Sequence, residues 1–195
     1  MIPSVIHLIG PGGAGKSTVA PHVAALFGAP SLDLDRAFAS AHGDIDRFIQ
    51  AHGYAAYAAA NVATYLANRS LAPAVFVLSS GFMVYPGSVY PGMRELQQEI
   101  AAAPTTILLL PSLDLEVCVM ETVRRQAARA LAVRRSAARE EAVIRDRFAR
   151  YRELTPRVVT TMQPVQIVAR EIIDRVFHAN DVTGPASVLS DEHCT

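Results

Sequence analysis

The chain has 195 residues, is 51% hydrophobic and carries 18 basic against 18 acidic side chains. That size supports one α/β core rather than several independent domains. Overall neutrality, 7% aromatic content and the lack of a recognition motif count against a nucleic-acid partner. The first residues lack a basic n-region and no apolar stretch approaches about twenty residues, so a soluble, cytoplasmic protein without a membrane association is expected.

Residues 4–9, S-V-I-H-L-I, read as a first strand. Gly10-Pro11-Gly12-Gly13-Ala14-Gly15-Lys16-Ser17-Thr18 follows, a complete G-x-x-x-x-G-K-[ST] phosphate-binding loop, and Val19, Val23, Leu26 and Phe27 then recur at helical spacing. Lys16 is the only lysine in the chain. A compact ammonium on a flexible stem suits the outer phosphates of a nucleotide, while the glycines let backbone N–H groups turn inward at a helix N-terminus. The ligand implied is a nucleoside triphosphate, with the Ser17 hydroxyl on its magnesium ion.

A second strand is expected over residues 30–34, ending in Asp33-Leu34-Asp35. If the strand runs through both aspartates they face the same side, one able to hold magnesium through water and the other to accept a proton from an attacking hydroxyl. The competing reading is a turn with helix capping. Helical material then runs to about Leu71, and a third strand, residues 74–78, leads into Ser79-Ser80-Gly81, which offers hydroxyls and bare backbone. A fourth strand spans 105–110; residues 113–128 read as helix, 129–138 as ambiguous and 140–154 as a long helix. Val165–Val168 is expected to be the last strand and Arg170–Phe177 a closing helix, with residues 179–195 a loose tail.

Between Arg124 and Arg157 eleven arginines stand against Glu140, Glu141, Asp146 and Glu153, an excess of seven that the rest of the chain offsets. One stretch of the chain is thus suited to meet anions, the competing reading for most of these arginines being a solvated helical face with partial i, i+4 pairing. Cys118 and Cys194 are far apart without C-x-x-C spacing, and His7, His22, His42, His52, His178 and His193 show no metal-ligand spacing, so surface or helix-face positions are expected for the histidines.

Alternating strands and helices imply a parallel sheet covered on both faces, with ligands at the carboxyl ends of the strands. Together G-P-G-G-A-G-K-S-T, L-D-L-D after the second strand, V-F-V-L-S-S-G after the third and R-F-A-R-Y-R-E-L near residue 150 resemble the shikimate kinase family of P-loop small-molecule kinases, over about residues 3–178. The resemblance implies a three-layer fold with a five-stranded parallel sheet in the order 2-3-1-4-5, a single domain over residues 1–178 and a lid near 124–138. It implies a Mg2+- and ATP-dependent kinase that phosphorylates a hydroxyl of shikimate or a related small acid, acting as a monomer or homodimer. Lys16 and loop residues Gly10, Gly12, Gly13, Ala14, Gly15, Ser17 and Thr18 would hold the phosphates, and Ser17 and Asp33 the metal. Asp35 would engage the acceptor hydroxyl, Ser80 and Gly81 would contact the acceptor, Arg147 would pair with its carboxylate, and Arg129 would close over the transferred phosphoryl group.

Three departures bear on the acceptor. Tyr57-Ala58 stands where the family has an aromatic residue followed by a substrate-binding arginine, Ser79 and Ser80 replace two glycines, and Ala130 replaces a proline after the lid arginine. Arg47 or Arg69 are candidates to replace the missing cation. The departures leave open a kinase for another hydroxylated metabolite or an antibiotic, or a nucleotide-binding regulatory module without transfer.

Overall fold

The structure, a computed structural model, describes residues 5–128, 136–154 and 157–178. Its centre is a five-stranded parallel sheet in the order β2-β3-β1-β4-β5, made of β1 (Val5–Ile9), β2 (Ser31–Asp33), β3 (Ala74–Val77), β4 (Thr106–Leu110) and β5 (Val158–Thr160). The expected strand order is the observed one.

The central strands are apolar on both faces, because each face is covered. Side chains alternate with period two, so Ile6, Leu8, Val75, Val77, Ile107 and Leu109 pack together with α1 (Lys16–Phe27) and α7 (Val165–His178). Ile9, Phe76, Leu108 and Leu110 join the opposite layer, where α2 (Leu34–His42), α3 (Ile45–Asn68), α4 (Met93–Ala102), α5 (Leu115–Ala127) and α6 (Ala137–Arg152) contribute residues such as Phe38, Tyr57, Leu96, Cys118 and Tyr151.

Local signals set the helix boundaries. Asp33, Asp44, Asp114 and Ser136 cap α2, α3, α5 and α6, each with a side-chain oxygen accepting a backbone N–H of the first turn. Gly43, at φ 84°, separates α2 from α3, and Gly53, at φ 85°, kinks α3.

Two expectations are corrected and one element is added. Val165–Val168 is the first turn of α7, and the last strand is Val158–Thr160. The Pro164 carbonyl accepts the N–H groups of Ile167 and Val168, starting a helix whose buried Val168, Ala169, Ile172 and Val176 carry helical periodicity. A helix absent from the sequence reading, α4, buries Met93, Leu96 and Ile100 at i, i+3 and i+7. His7 is not on a surface: it lies in β1 at 8% exposure, against the Tyr65 and Phe76 rings, and shares a 3.1 Å hydrogen bond between Nε2 and the Tyr65 hydroxyl. Residues 129–135, the middle of the expected lid, and the expected tail at 179–195 lie outside the described residues.

Candidate active site

The phosphate loop joins β1 to α1 at the carboxyl edge of the sheet. Gly10, Gly13 and Gly15 take φ of 139°, 79° and 95°, which a side chain would oppose. Space is restricted as well: a Cβ on Gly10 would run into the Leu109 carbonyl oxygen, and one on Gly13 would stand 2.8 Å from Thr122 Cγ2. The loop is therefore braced from β4 on one side and from α5 on the other. Lys16 is buried at 8% exposure and its ammonium donates to the Gly10 and Pro11 carbonyls at 2.6 and 3.1 Å, which keeps the charge at the mouth of the loop. Ala14 is buried in the core, Ser17 is half-buried in the first turn of α1, and Thr18 is exposed.

Two clefts share this loop. One is lined by Gly13, Gly15, Thr18, Arg124, Arg125, Thr161 and Gln163. Arg125 ties it together, donating to the Gly13 carbonyl at 3.3 Å and to the Thr161 hydroxyl and carbonyl at 2.9 and 2.8 Å. The second cleft has a volume of about 180 Å³ and is lined by Pro11, Gly12, Asp35, Ile45, Asp46, Ile49, Tyr54, Tyr57, Ser80, Gly81, Gln126, Glu140, Val143, Ile144 and Arg147. Ligand pockets of roughly 300–1,000 Å³ suit drug-sized molecules, so this one suits a small metabolite.

The second cleft brings together sequence-predicted residues from four elements. Asp35, in the first turn of α2, accepts on Oδ1 from the Ser79 hydroxyl at 2.5 Å and the Tyr57 hydroxyl at 3.1 Å. Burial, reinforced by the nearby Asp35 carboxylate, pushes the Tyr57 phenol well above its usual range, so it stays protonated and donates. Arg147, from α6, donates through Nη1 to the Ser80 hydroxyl at 3.0 Å and through Nη2 towards the Tyr54 hydroxyl at 3.5 Å. Tyr151 donates to the Ser80 carbonyl at 3.0 Å, fixing the chain after β3. Gly81 lets the chain pass close to the rings there, since a Cβ would meet the Tyr54 hydroxyl and Tyr85.

Other predicted positions fall differently. The strand ends at Asp33, so the premise that Asp33 and Asp35 share one strand face does not hold: Asp33 Oδ1 caps α2 by accepting the N–H groups of Asp35 and Arg36, at 3.0 and 3.3 Å. Ala58 is fully buried in the core. Neither Arg47 nor Arg69 lines the acceptor cleft. Arg69 follows Ala58 by eleven residues at the C-terminus of α3, roughly 16 Å along the helix axis at 1.5 Å per residue. Among the described lining residues Arg147 is the one arginine. Arg129 lies outside the described residues.

The sequence reading missed Arg125, Thr161, Gln126, Tyr54 and the hydroxyl role of Tyr57. Tyr54 and Tyr57 could have been found as a pair three apart on one helix face. The link from Arg125 to Thr161 has no local signal, because it joins residues 36 apart in sequence.

Among the described residues no cluster of His, Cys, Asp or Glu side chains is arranged to hold a metal by itself. No described helix is long and apolar enough to cross a membrane.

A strand–glycine loop–helix unit at the edge of a 2-3-1-4-5 parallel sheet, flanked by two clefts, defines a P-loop protein of the small-molecule kinase fold. The shikimate kinase family model matches residues 12–177, and the chain belongs to that family. Solved structures agree on the fold. A shikimate kinase from Acinetobacter baumannii, in complex with shikimate, superposes with a TM-score of 0.66 at 22% identity, covering 90% of this chain and 93% of that one. A shikimate kinase from Aquifex aeolicus gives 0.65 at 17% identity over 92% and 99% of the two chains. A gluconokinase from Sinorhizobium meliloti gives 0.53 at 19% identity over 93% and 96%. No curated protein sequence matches the chain.

Proposed function

We propose that the protein transfers the γ-phosphoryl group of Mg-ATP to a hydroxyl of shikimate or a related small acid. One observation carries this reading: Asp35 and Arg147, a proton acceptor and a carboxylate partner, line the same small cleft as Pro11 and Gly12 of the phosphate loop. In the transfer the acceptor oxygen forms a bond to the γ-phosphorus, the bond to the β,γ-bridging oxygen breaks to leave ADP, and the hydroxyl proton passes to Asp35. Lys16 and the loop amides hold the phosphates, and the cleft beside Arg125 and Thr161 takes the nucleotide base. Magnesium bound to the phosphates supplies charge neutralisation, with Ser17 and Asp33 as the groups that would reach it. Arg129 is the candidate to close over the phosphoryl group, and Gly81 and Ser80 border the acceptor.

A specific observation favours a second acceptor class. The described acceptor cleft holds one arginine beside three carboxylates, Asp35, Asp46 and Glu140, so the carboxylate of an acid would meet one cationic partner among three like charges. A less acidic hydroxylated metabolite fits that balance. The test is ADP release from Mg-ATP, with mass detection of product, across shikimate, D-gluconate, neutral sugars and amino alcohols. Acceptor-dependent transfer that falls at least about a hundredfold in Lys16→Ala is expected, a loss typical of removing a group that stabilises developing charge. Transfer to neutral acceptors with none to shikimate would select the second class. ATP binding without transfer to any of them would leave a nucleotide-binding module.

A further inference from the structure

The two serines that follow β3, at positions where the resembled family has glycines, each hold a different residue of the acceptor cleft. Ser79 donates to Asp35 at 2.5 Å, and Ser80 accepts from Arg147 at 3.0 Å. A tyrosine of α3 seconds each of them: Tyr57 donates to the same Asp35 oxygen at 3.1 Å, and Tyr54 stands 3.5 Å from Arg147 Nη2. Tyr54 and Tyr57 are three apart, past the kink at Gly53, and so present on one helix face. One dipeptide and one helical turn therefore set both ends of the cleft.

We propose that Ser79 with Tyr57, and Ser80 with Tyr54, are positioning residues, the first pair for the proton-accepting carboxylate and the second for the guanidinium that holds the acceptor. This rests on the kinase reading above. A carboxylate rotates broadly about its last torsion. Two donors on Oδ1 stop that rotation and leave Oδ2 for the acceptor hydroxyl. The side chain of Arg147 is long and rich in rotamers, and bonds to two neutral hydroxyls orient its fork without neutralising the charge, so it stays available to an anionic or polar group of the acceptor. The spacing between proton acceptor and clamp then becomes a built-in property of the cleft and selects acceptors whose hydroxyl and binding group match it.

The two pairs predict opposite kinetic signatures. Loss of an interaction felt mainly in the transition state lowers kcat, while loss of uniform binding raises KM. Ser79→Ala and Tyr57→Phe are expected to lower kcat about tenfold with acceptor KM within about twofold, because misplacing a reacting group is costly even over short distances. Ser80→Ala and Tyr54→Phe are expected to raise acceptor KM about tenfold with kcat within about twofold. The experiment measures full steady-state kinetics at saturating Mg-ATP for the wild type and the four variants of the full chain, using whichever of shikimate and D-gluconate is turned over faster, with thermal midpoints alongside. The partition into two pairs supports the proposal. Equal losses of kcat and kcat/KM in all four, no change in any, or a mixed partition would overturn it while leaving the kinase reading standing. If neither acid raises ADP release in the wild type above the Lys16→Ala background, the acid-kinase reading fails and the proposal falls with it.

Discussion

Arg125 reaches from the last turn of α5 to the Thr161 hydroxyl at 2.9 Å, and the same guanidinium touches the Gly13 carbonyl of the phosphate loop. Its Nε donates to Glu121 at 2.6 Å, so each of the three guanidinium nitrogens is engaged. The neighbouring Arg124 and then Arg125 hold the Glu121 carboxyl down to about 2, which keeps that partner ionised through the neutral range.

Arg125→Ala should therefore act on the nucleotide side alone. The hydrogen bonds from α5 to the loop and to the segment after β5 are lost, along with the ion pair to Glu121 within α5, and an approximately tenfold weaker Mg-ATP affinity is expected by isothermal titration. Acceptor KM should stay within about twofold, because Arg125 does not line the second cleft.

Two glycines of the loop should separate in stability. Gly10→Ala drives a Cβ into the Leu109 carbonyl oxygen of β4 at a φ of 139°, and a loss above roughly 3 kcal/mol in urea titration is expected. Gly12→Ala meets only the amide end of Gln126, a side chain that can swing away, so a loss under about 1 kcal/mol is expected. The displaced Gln126 lines the acceptor cleft, so Gly12→Ala should show its effect in acceptor KM rather than in the unfolding midpoint.

Gly81→Ala places a methyl group against Tyr54 and 2.8 Å from Tyr85 Cε1, with Arg147 Nη2 at 3.4 Å. The tyrosines must move, and Arg147 with them. Acceptor KM should rise by at least about tenfold with Mg-ATP affinity unchanged, a contrast that steady-state kinetics and calorimetry together would measure.

His7 makes stability depend on pH. Burial lowers its pKa from 6.5 to about 4, so between those values the unfolded chain binds a proton that the folded chain refuses. Stability is unaffected by this group above pH about 6.5 and falls as pH drops toward 4, by about 2 kcal/mol at pH 5 from the linkage relation. Urea midpoints measured at pH 7 and pH 5 should show that loss in the wild type and a clearly smaller one in His7→Phe, whose ring keeps the contact with Tyr65 and Phe76.

The parts legible in the sequence are those with a local cause. The phosphate loop is defined by spacing and glycine content, and β1, β3 and β4 by runs too apolar for any exposed position. The segment V-Q-I-V at 165–168 misleads because β-branched residues suit a strand, and only its preceding proline and the apolar positions further on mark it as a helix start. The helical spacing of α4 is present in M-R-E-L-Q-Q-E-I, but Pro86, Gly87, Pro91 and Gly92 just before it give the stretch the look of a loop. Of the site, Asp35 and Arg147 were readable from their motifs, whereas the hydroxyls that hold them were not. Ser79 and Asp35 lie 44 residues apart, and only the register of β2 beside β3 brings them together.

Because Lys16 is the only lysine, an amine-selective reagent has one side-chain target in the chain, and it sits in the phosphate loop. Acylation of that ε-amine becomes a direct report of loop occupancy: a bound triphosphate should shield it, and retained tryptic cleavage after Lys16, which acylation blocks, would reveal the protection without any acceptor being known. Arginine elsewhere leaves the α-amine as the one competitor, so the composition of the chain has in effect installed a side-chain handle on its own nucleotide site.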